Sequence, residues 1–258
     1  MIARALFDSP DRPASRVARF VNLLVVLLLV SGGSYALLAQ SISDWSPVWA
    51  YRASFLQGWV TTIWLSVLSL ICSLIFGLIA AMARRSSFMP LRSLSVIYVE
   101  LIRGTPLLVQ IYFFFYVVFD KVGLDNRYIA GVLILSLFTG AYIAEMIRAG
   151  IESIPASQWE SARAIGLSTQ QTYRLVIFPQ AFRQILPPLA GQLASLVKDS
   201  SLLSVLGLSE FTQSALQVNS ATYSTLESFL PLAIGYLILT LPISLAAKKL
   251  EALFRYEA

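Results

Sequence analysis

The 258-residue sequence contains no histidine and a single cysteine, Cys72. Without histidine there is no Ser-His pair and no H-E-x-x-H metal site, which removes the common intramembrane enzyme chemistries. One cysteine excludes a disulfide within the chain and argues against a structural metal site. Charge is scarce too: Asp, Glu, Lys and Arg make up 13% of the residues, about half of what a soluble domain carries. No G-x-x-x-x-G-K-[ST] loop occurs, so the chain has no phosphate-binding loop for ATP.

Apolar surface is abundant. Hydrophobic residues are 57% of the chain and the mean hydropathy is +0.72. One core of this size cannot hide so much, and lipid is the solvent that suits it. Six stretches reach the roughly 20 apolar residues of a helical crossing: 20–39, 57–83, 94–119, 129–151, 187–208 and 228–248. They are continuously apolar, which favours helices over the alternating strands of a barrel. The expected fold class is therefore all-α, a polytopic membrane bundle of six transmembrane helices.

Basic residues orient it. With the N-terminus inside, 15 arginines and lysines fall in inside segments, and only Arg52, Lys121 and Arg127 fall outside. This bias predicts that both termini are cytoplasmic. The net charge of +5 then reads as topology, and no nucleic-acid partner is expected. The first apolar run follows a long polar region, and no A-x-A pattern follows Leu38-Ala39-Gln40. It reads as an uncleaved anchor. The expected organisation is a cytoplasmic tail at 1–19, an anchor helix and external loop at 20–56, and a core at 57–258.

Span 57–83 carries Ser66, Ser69, Ser73, Gly77 and Ala81 three or four residues apart, a smooth face where a second helix can approach. Span 94–119 contains Gly104-Thr105-Pro106, where the proline should kink or break the helix. A plain kink and a place on a substrate pathway are both open there.

The segment 152–186 is too polar to span and too long for an ordinary connection. Ser157-Gln158-Trp159-Glu160 fits a capping box, and Gly166 fits the stop of a short helix. Ser168-Thr169-Gln170-Gln171 fits a second box, and Pro179 marks a bend or end. Two short helices joined by a glycine make a compact cytoplasmic element that needs a partner.

This segment resembles the loop of permease subunits of binding-protein-dependent ATP-binding-cassette importers. Their loop reads E-A-A, three residues, G, nine residues, then I-x-L-P. Here the matching residues are Glu160-Ser161-Ala162, then Gly166, then Val176-Ile177-Phe178-Pro179. Ser161, Val176 and Phe178 depart from the pattern, while the spacing is intact. Three further stretches resemble the polar amino-acid branch: Glu100 to Pro106 with Gln110; Ala141 to Glu145 with Arg148, Gly150 and Ile151; and Lys198 to Leu202. The matches run from about residue 57 to the C-terminus. The first span then stands outside a five-helix type I importer core.

The resemblance implies a multi-pass protein of the bacterial inner membrane that translocates a polar amino acid by alternating access. It implies a second permease subunit, identical or related, two cytoplasmic ATPase subunits, and an external substrate-binding protein. ATP and magnesium belong to the ATPase subunits, and no cofactor is expected on this chain, which is not itself an enzyme. Ser157, Glu160, Ala162, Gly166 and Pro179 become ATPase-coupling residues, through the shape of the loop.

Charges near the spans are the other candidates. Glu100 with Arg103, and Glu145 with Arg148, lie three apart and can form local pairs. Lys198 and Asp199 lie ten and eleven residues beyond Pro188, roughly 15 Å deep, where charge is costly and faces a cavity or a partner. Arg103 and Glu145 are possible counter-charges for them. Arg103, Thr105, Glu145, Lys198 and Asp199 are thus candidates for the substrate pathway or the subunit interface. A channel or secondary transporter for a small polar solute is the rival function, but it leaves the 152–186 element without a purpose.

Overall fold

The computed structural model describes residues 44–254, together with scattered residues between 20 and 32. The span expected at 20–39 therefore lies largely outside the described residues, as does the tail at 1–19. The chain divides into two units, Met1–Ser46 and Pro47–Ala258, and the second holds the bundle.

After a short helical turn at Ser46–Ala50, helix α1 runs from Arg52 to Arg84. At 1.5 Å per residue it is about 50 Å long, more than a hydrocarbon core requires. Its small-residue face is buried: Ser66, Ser69, Ser73 and Ala81 are all at most 4% exposed. Helix α4, Arg127–Glu152, packs along this seam. A Cβ placed on Gly77 would lie 2.6 Å from the Ile143 side chain, so only glycine permits this approach. Ser136 Oγ donates across the seam to the Ser69 carbonyl at 3.2 Å.

Helix α2, Met89–Gly104, ends where Thr105 turns extended (φ −124°, ψ 147°). A residue before proline is pushed out of the helical region. Pro106 then opens helix α3, Leu107–Phe113, which continues through a wide π turn at Phe114–Phe119. The two halves meet at 112°. The expected break is therefore a sharp corner.

Beyond α4 come short helices α5, Ala156–Ala164, and α6, Thr169–Thr172, and a π turn at Tyr173–Ile177. Helix α7 spans Phe178–Asp199, and a 3-10 stretch, Ser200–Leu206, stops at Gly207 (φ +65°). Helix α8, Phe211–Thr222, precedes α9, Thr225–Phe254. The crossing expected at 187–208 is thus not one straight helix. It is α7 followed by a change from α to 3-10 geometry at Ser200.

A core of Leu65, Ile111, Ile134, Leu135, Leu203 and Leu208 ties α1, α3, α4 and the 3-10 stretch together. The outside is equally apolar. None of the most apolar 18-residue window of α9 is buried, and Val60, Ile71, Ile75 and Ile79 of α1 are exposed. Such continuous apolar exposure suits lipid. Among the described residues three helices, α1, α4 and α9, are long and apolar enough to cross a membrane, or four spans if the bent α2–α3 pair is one.

Candidate functional site

Three groups of polar residues stand out against the apolar bundle. The first is the α5–α6 element. Helix α5 begins at Ala156, with Pro155 in the cap position and no side-chain cap bond. Ser157 therefore lies inside the helix and forms no capping box with Glu160. The reason is local: Pro155 has φ fixed near −55° and extended ψ, which starts the helix two residues earlier. Glu160 and Ser157 are both exposed.

The stop is as expected. Gly166 has φ +79°, its N–H donates to the Arg163 carbonyl (3.0 Å), and Leu167 N–H donates to the Ala162 carbonyl (3.1 Å). This pair of bonds is a Schellman cap. The second capping box is present: Ser168 Oγ accepts from Gln171 N–H, and Gln171 Oε1 accepts from Ser168 N–H.

Ala162 is 2% exposed, whereas Ile165 is 76% exposed beside the glycine stop. Pro179 does not end a helix. It sits two residues into α7, directly after the π turn and within a continuous helical run, so the wider turn stands where proline has no N–H to donate.

Aromatic packing holds the element to the bundle. Trp159 meets Tyr173 edge-on at 5.1 Å, and Tyr173 meets Phe178 at 6.0 Å. Arg85, just past α1, stacks on the Tyr173 ring at 5.3 Å and donates to its hydroxyl. No local sequence signal joins Arg85 to Tyr173, because 88 residues separate them.

The second group centres on Glu145. Arg148 donates to it twice (2.9 and 2.5 Å), Arg84 donates at 3.3 Å, and Arg103 lies at 3.6 Å. Three helices, α1, α2 and α4, thus share one carboxylate. Arg148 also donates to Glu152. The Glu145–Arg148 pair is as expected; the Glu100–Arg103 pair is not present. Arg103 instead turns to α4, where it also lies over Tyr142 at 5.5 Å, and Glu100 is exposed.

The third group lies at the two helix breaks. Gln110 is 5% exposed, and its amide donates to Ile102 O (2.7 Å), Thr105 O (3.1 Å) and Thr105 Oγ1 (2.9 Å). Two of these acceptors are carbonyls at the corner, and Pro106 has no N–H to offer the Ile102 carbonyl. At the other break, Glu210 is fully buried and caps α8. It accepts from Thr212 N–H (2.9 Å), Gln213 N–H (2.7 Å) and the Tyr236 hydroxyl (3.0 Å). Asp or Asn is the usual cap signal, and a lone glutamate in this run carried none.

Lys198 is exposed and Asp199 half-buried at the end of α7, and neither has an ion pair among the described residues. Glu145 and Arg103 pair with each other, not with these two.

This arrangement defines a membrane-embedded helical bundle with a polar two-helix element at one end. The chain belongs to the family described as binding-protein-dependent transport system inner membrane component, whose model matches residues 73–256. It is similar to the glutamine transport system permease protein GlnP of Escherichia coli (strain K12), 36% identical over 211 residues, covering 81% of this chain and 96% of the relative. It is also similar to the L-cystine transport system permease protein TcyB of Bacillus subtilis (strain 168), 38% identical over 242 residues, covering 93% and 99%.

Among solved structures, a crystal structure of an amino acid ABC transporter with histidines matches with TM-score 0.76 and 34% identity, over 84% of this chain and 100% of that one. An inward-facing structure of the MetNI methionine ABC transporter shares the fold alone, with TM-score 0.61 and 20% identity over 80% and 96%. The chain is thus a permease subunit of an ATP-binding-cassette importer with the type I fold, and ATP hydrolysis in such importers resides on separate subunits.

Proposed function

We propose that this chain imports a polar amino acid delivered by an external binding protein, working with a second permease subunit and two cytoplasmic ATPase subunits. ATP and magnesium act on the ATPase subunits. Both termini lie in the cytoplasm. The observation that carries the reading is the α5–α6 element: capped at both helices, locked to α1 through Trp159, Tyr173 and Arg85, and presenting Ile165 outward. In this reading the exposed Ile165 faces the ATPase subunit. The amino-acid substrate class is supported by the relatives, which are named for glutamine and L-cystine.

In this reading, closure of the ATPase pair pulls on α5. The aromatic contact transmits the pull to α7 and the end of α1, and the bundle alternates between outward and inward access. Proteoliposomes holding the chain with its ATPase and binding protein should take up labelled polar amino acids only with ATP inside. Uptake driven by an ion gradient without ATP would favour a secondary transporter. A reporter fused to the C-terminus should be active only in the cytoplasm.

A further inference from the structure

The end of the bundle that carries the α5–α6 element also holds a cleft of about 700 Å³. Its walls come from α1, α2, α4 and the region around the π turn. Arg84, Arg85, Arg92 and Arg148 line it, against one carboxylate, Glu152. Arg84 and Arg148 share Glu145. Arg85 and Arg92 have no carboxylate partner among the described residues. The cleft is therefore short of negative charge in a place where several guanidinium groups converge.

The rest of the lining is apolar, with Leu78, Met82, Val96, Ile147 and Phe178 among it. Beyond the lining, Phe88, Met89 and Leu94 are exposed at the start of α2, and Met82 of the lining is itself exposed on α1. These side chains lie on membrane-spanning helices close to their ends, where headgroups meet acyl chains. A free phosphate would answer the arginines and leave this apolar margin uncovered. An anion carrying its own apolar body answers both.

We propose that this cleft seats the phosphate headgroup of an anionic phospholipid of the cytoplasmic leaflet, with the acyl chains against Met82 and Phe178. Basic pockets between helices on the cytoplasmic side hold acidic headgroups in this way, and arginine forks match phosphate oxygens. The proposal rests on the cytoplasmic placement of the α5–α6 element. Bound there, the phosphate links Arg92 of α2 to Arg85, the residue that grips Tyr173, so the lipid would steady the contact through which the bundle is driven.

The test uses the complex of this chain with its ATPase subunits in nanodiscs of phosphatidylglycerol or phosphatidylcholine, with retained lipid read by native mass spectrometry. The parent should keep phosphatidylglycerol in preference to phosphatidylcholine. Arg92→Gln should weaken that retention about fivefold, the effect of one basic residue near an anionic surface, and Arg92→Lys should restore most of it. Equal retention of the two lipids, or no change in Arg92→Gln, would overturn the proposal. So would displacement of the lipid by millimolar inorganic phosphate alone, which would mark a simple anion site. If Arg92→Gln instead lost the ATPase subunit with its lipid unchanged, the cleft would belong to an acidic protein segment. Lipid retention is read without transport, so its failure leaves the import assignment standing, and a failed uptake assay leaves the lipid result standing.

Discussion

The Gln110 side-chain amide donates to the Ile102 carbonyl at 2.7 Å, across the corner that Pro106 makes between α2 and α3. A broken helix inside a membrane needs a substitute donor for the carbonyls it frees, because lipid offers none. Gln110 also reaches Thr105 O and Oγ1, and Thr105 Oγ1 in turn donates to the Leu101 carbonyl at 2.8 Å.

Gln110→Leu keeps the volume and removes the donors. It should destabilise the purified protein by about 1–3 kcal/mol, the cost of leaving buried carbonyls unpaired. Thermal unfolding in detergent would read this as a lowered Tm. An unchanged Tm would mean that water or another group serves those carbonyls.

Glu145 is the shared acceptor for Arg84, Arg103 and Arg148. Glu145→Ala leaves three arginines facing one another between α1, α2 and α4, and should reduce assembled complex or uptake severely. Glu100→Ala, at an exposed residue with no ion pair among the described residues, should be mild. Equal yields and uptake for the two variants would remove the hub from the account.

Gly166→Val should uncouple uptake from ATP hydrolysis while the protein still inserts. The position has φ +79° and open space around it, so the penalty is purely one of backbone. The left-handed region costs an L-residue about 1–2 kcal/mol and a β-branched one more. Uptake and substrate-stimulated hydrolysis equal to the parent would show that the shape of this stop is not needed.

Tyr173→Phe keeps the ring against Trp159 and loses the hydroxyl that Arg85 grips. Tyr173→Ala loses both. Uptake per ATP hydrolysed should fall modestly in the first and strongly in the second. If both variants matched the parent, the aromatic link would not transmit motion.

Lys198→Ala and Asp199→Ala should each impair assembly or transport more than Lys121→Ala in the loop between α3 and α4. Neither residue forms an ion pair among the described residues, and charge in a spanning bundle calls for a cavity or a second subunit. Assays of complex formation and uptake separate those two uses. Parent-like behaviour in both would make the residues bystanders.

Composition and short-range signals determined the helical membrane class, because apolar content and run length set the solvent a chain requires. They also located the break at Pro106, the small-residue face of α1, the stop at Gly166 and the cap at Ser168. Each of these depends on neighbours within a few residues. Tertiary structure decided the rest. Arg103 takes Glu145 rather than Glu100 because α4 supplies a carboxylate that Arg84 and Arg148 already hold in place. Pro155, not Ser157, starts α5, since a fixed φ acts ahead of a side chain that would have to compete for the cap. The bond from Tyr236 to Glu210 and the grip of Arg85 on Tyr173 join residues 26 and 88 positions apart, a distance over which packing, and not local preference, chooses the partner.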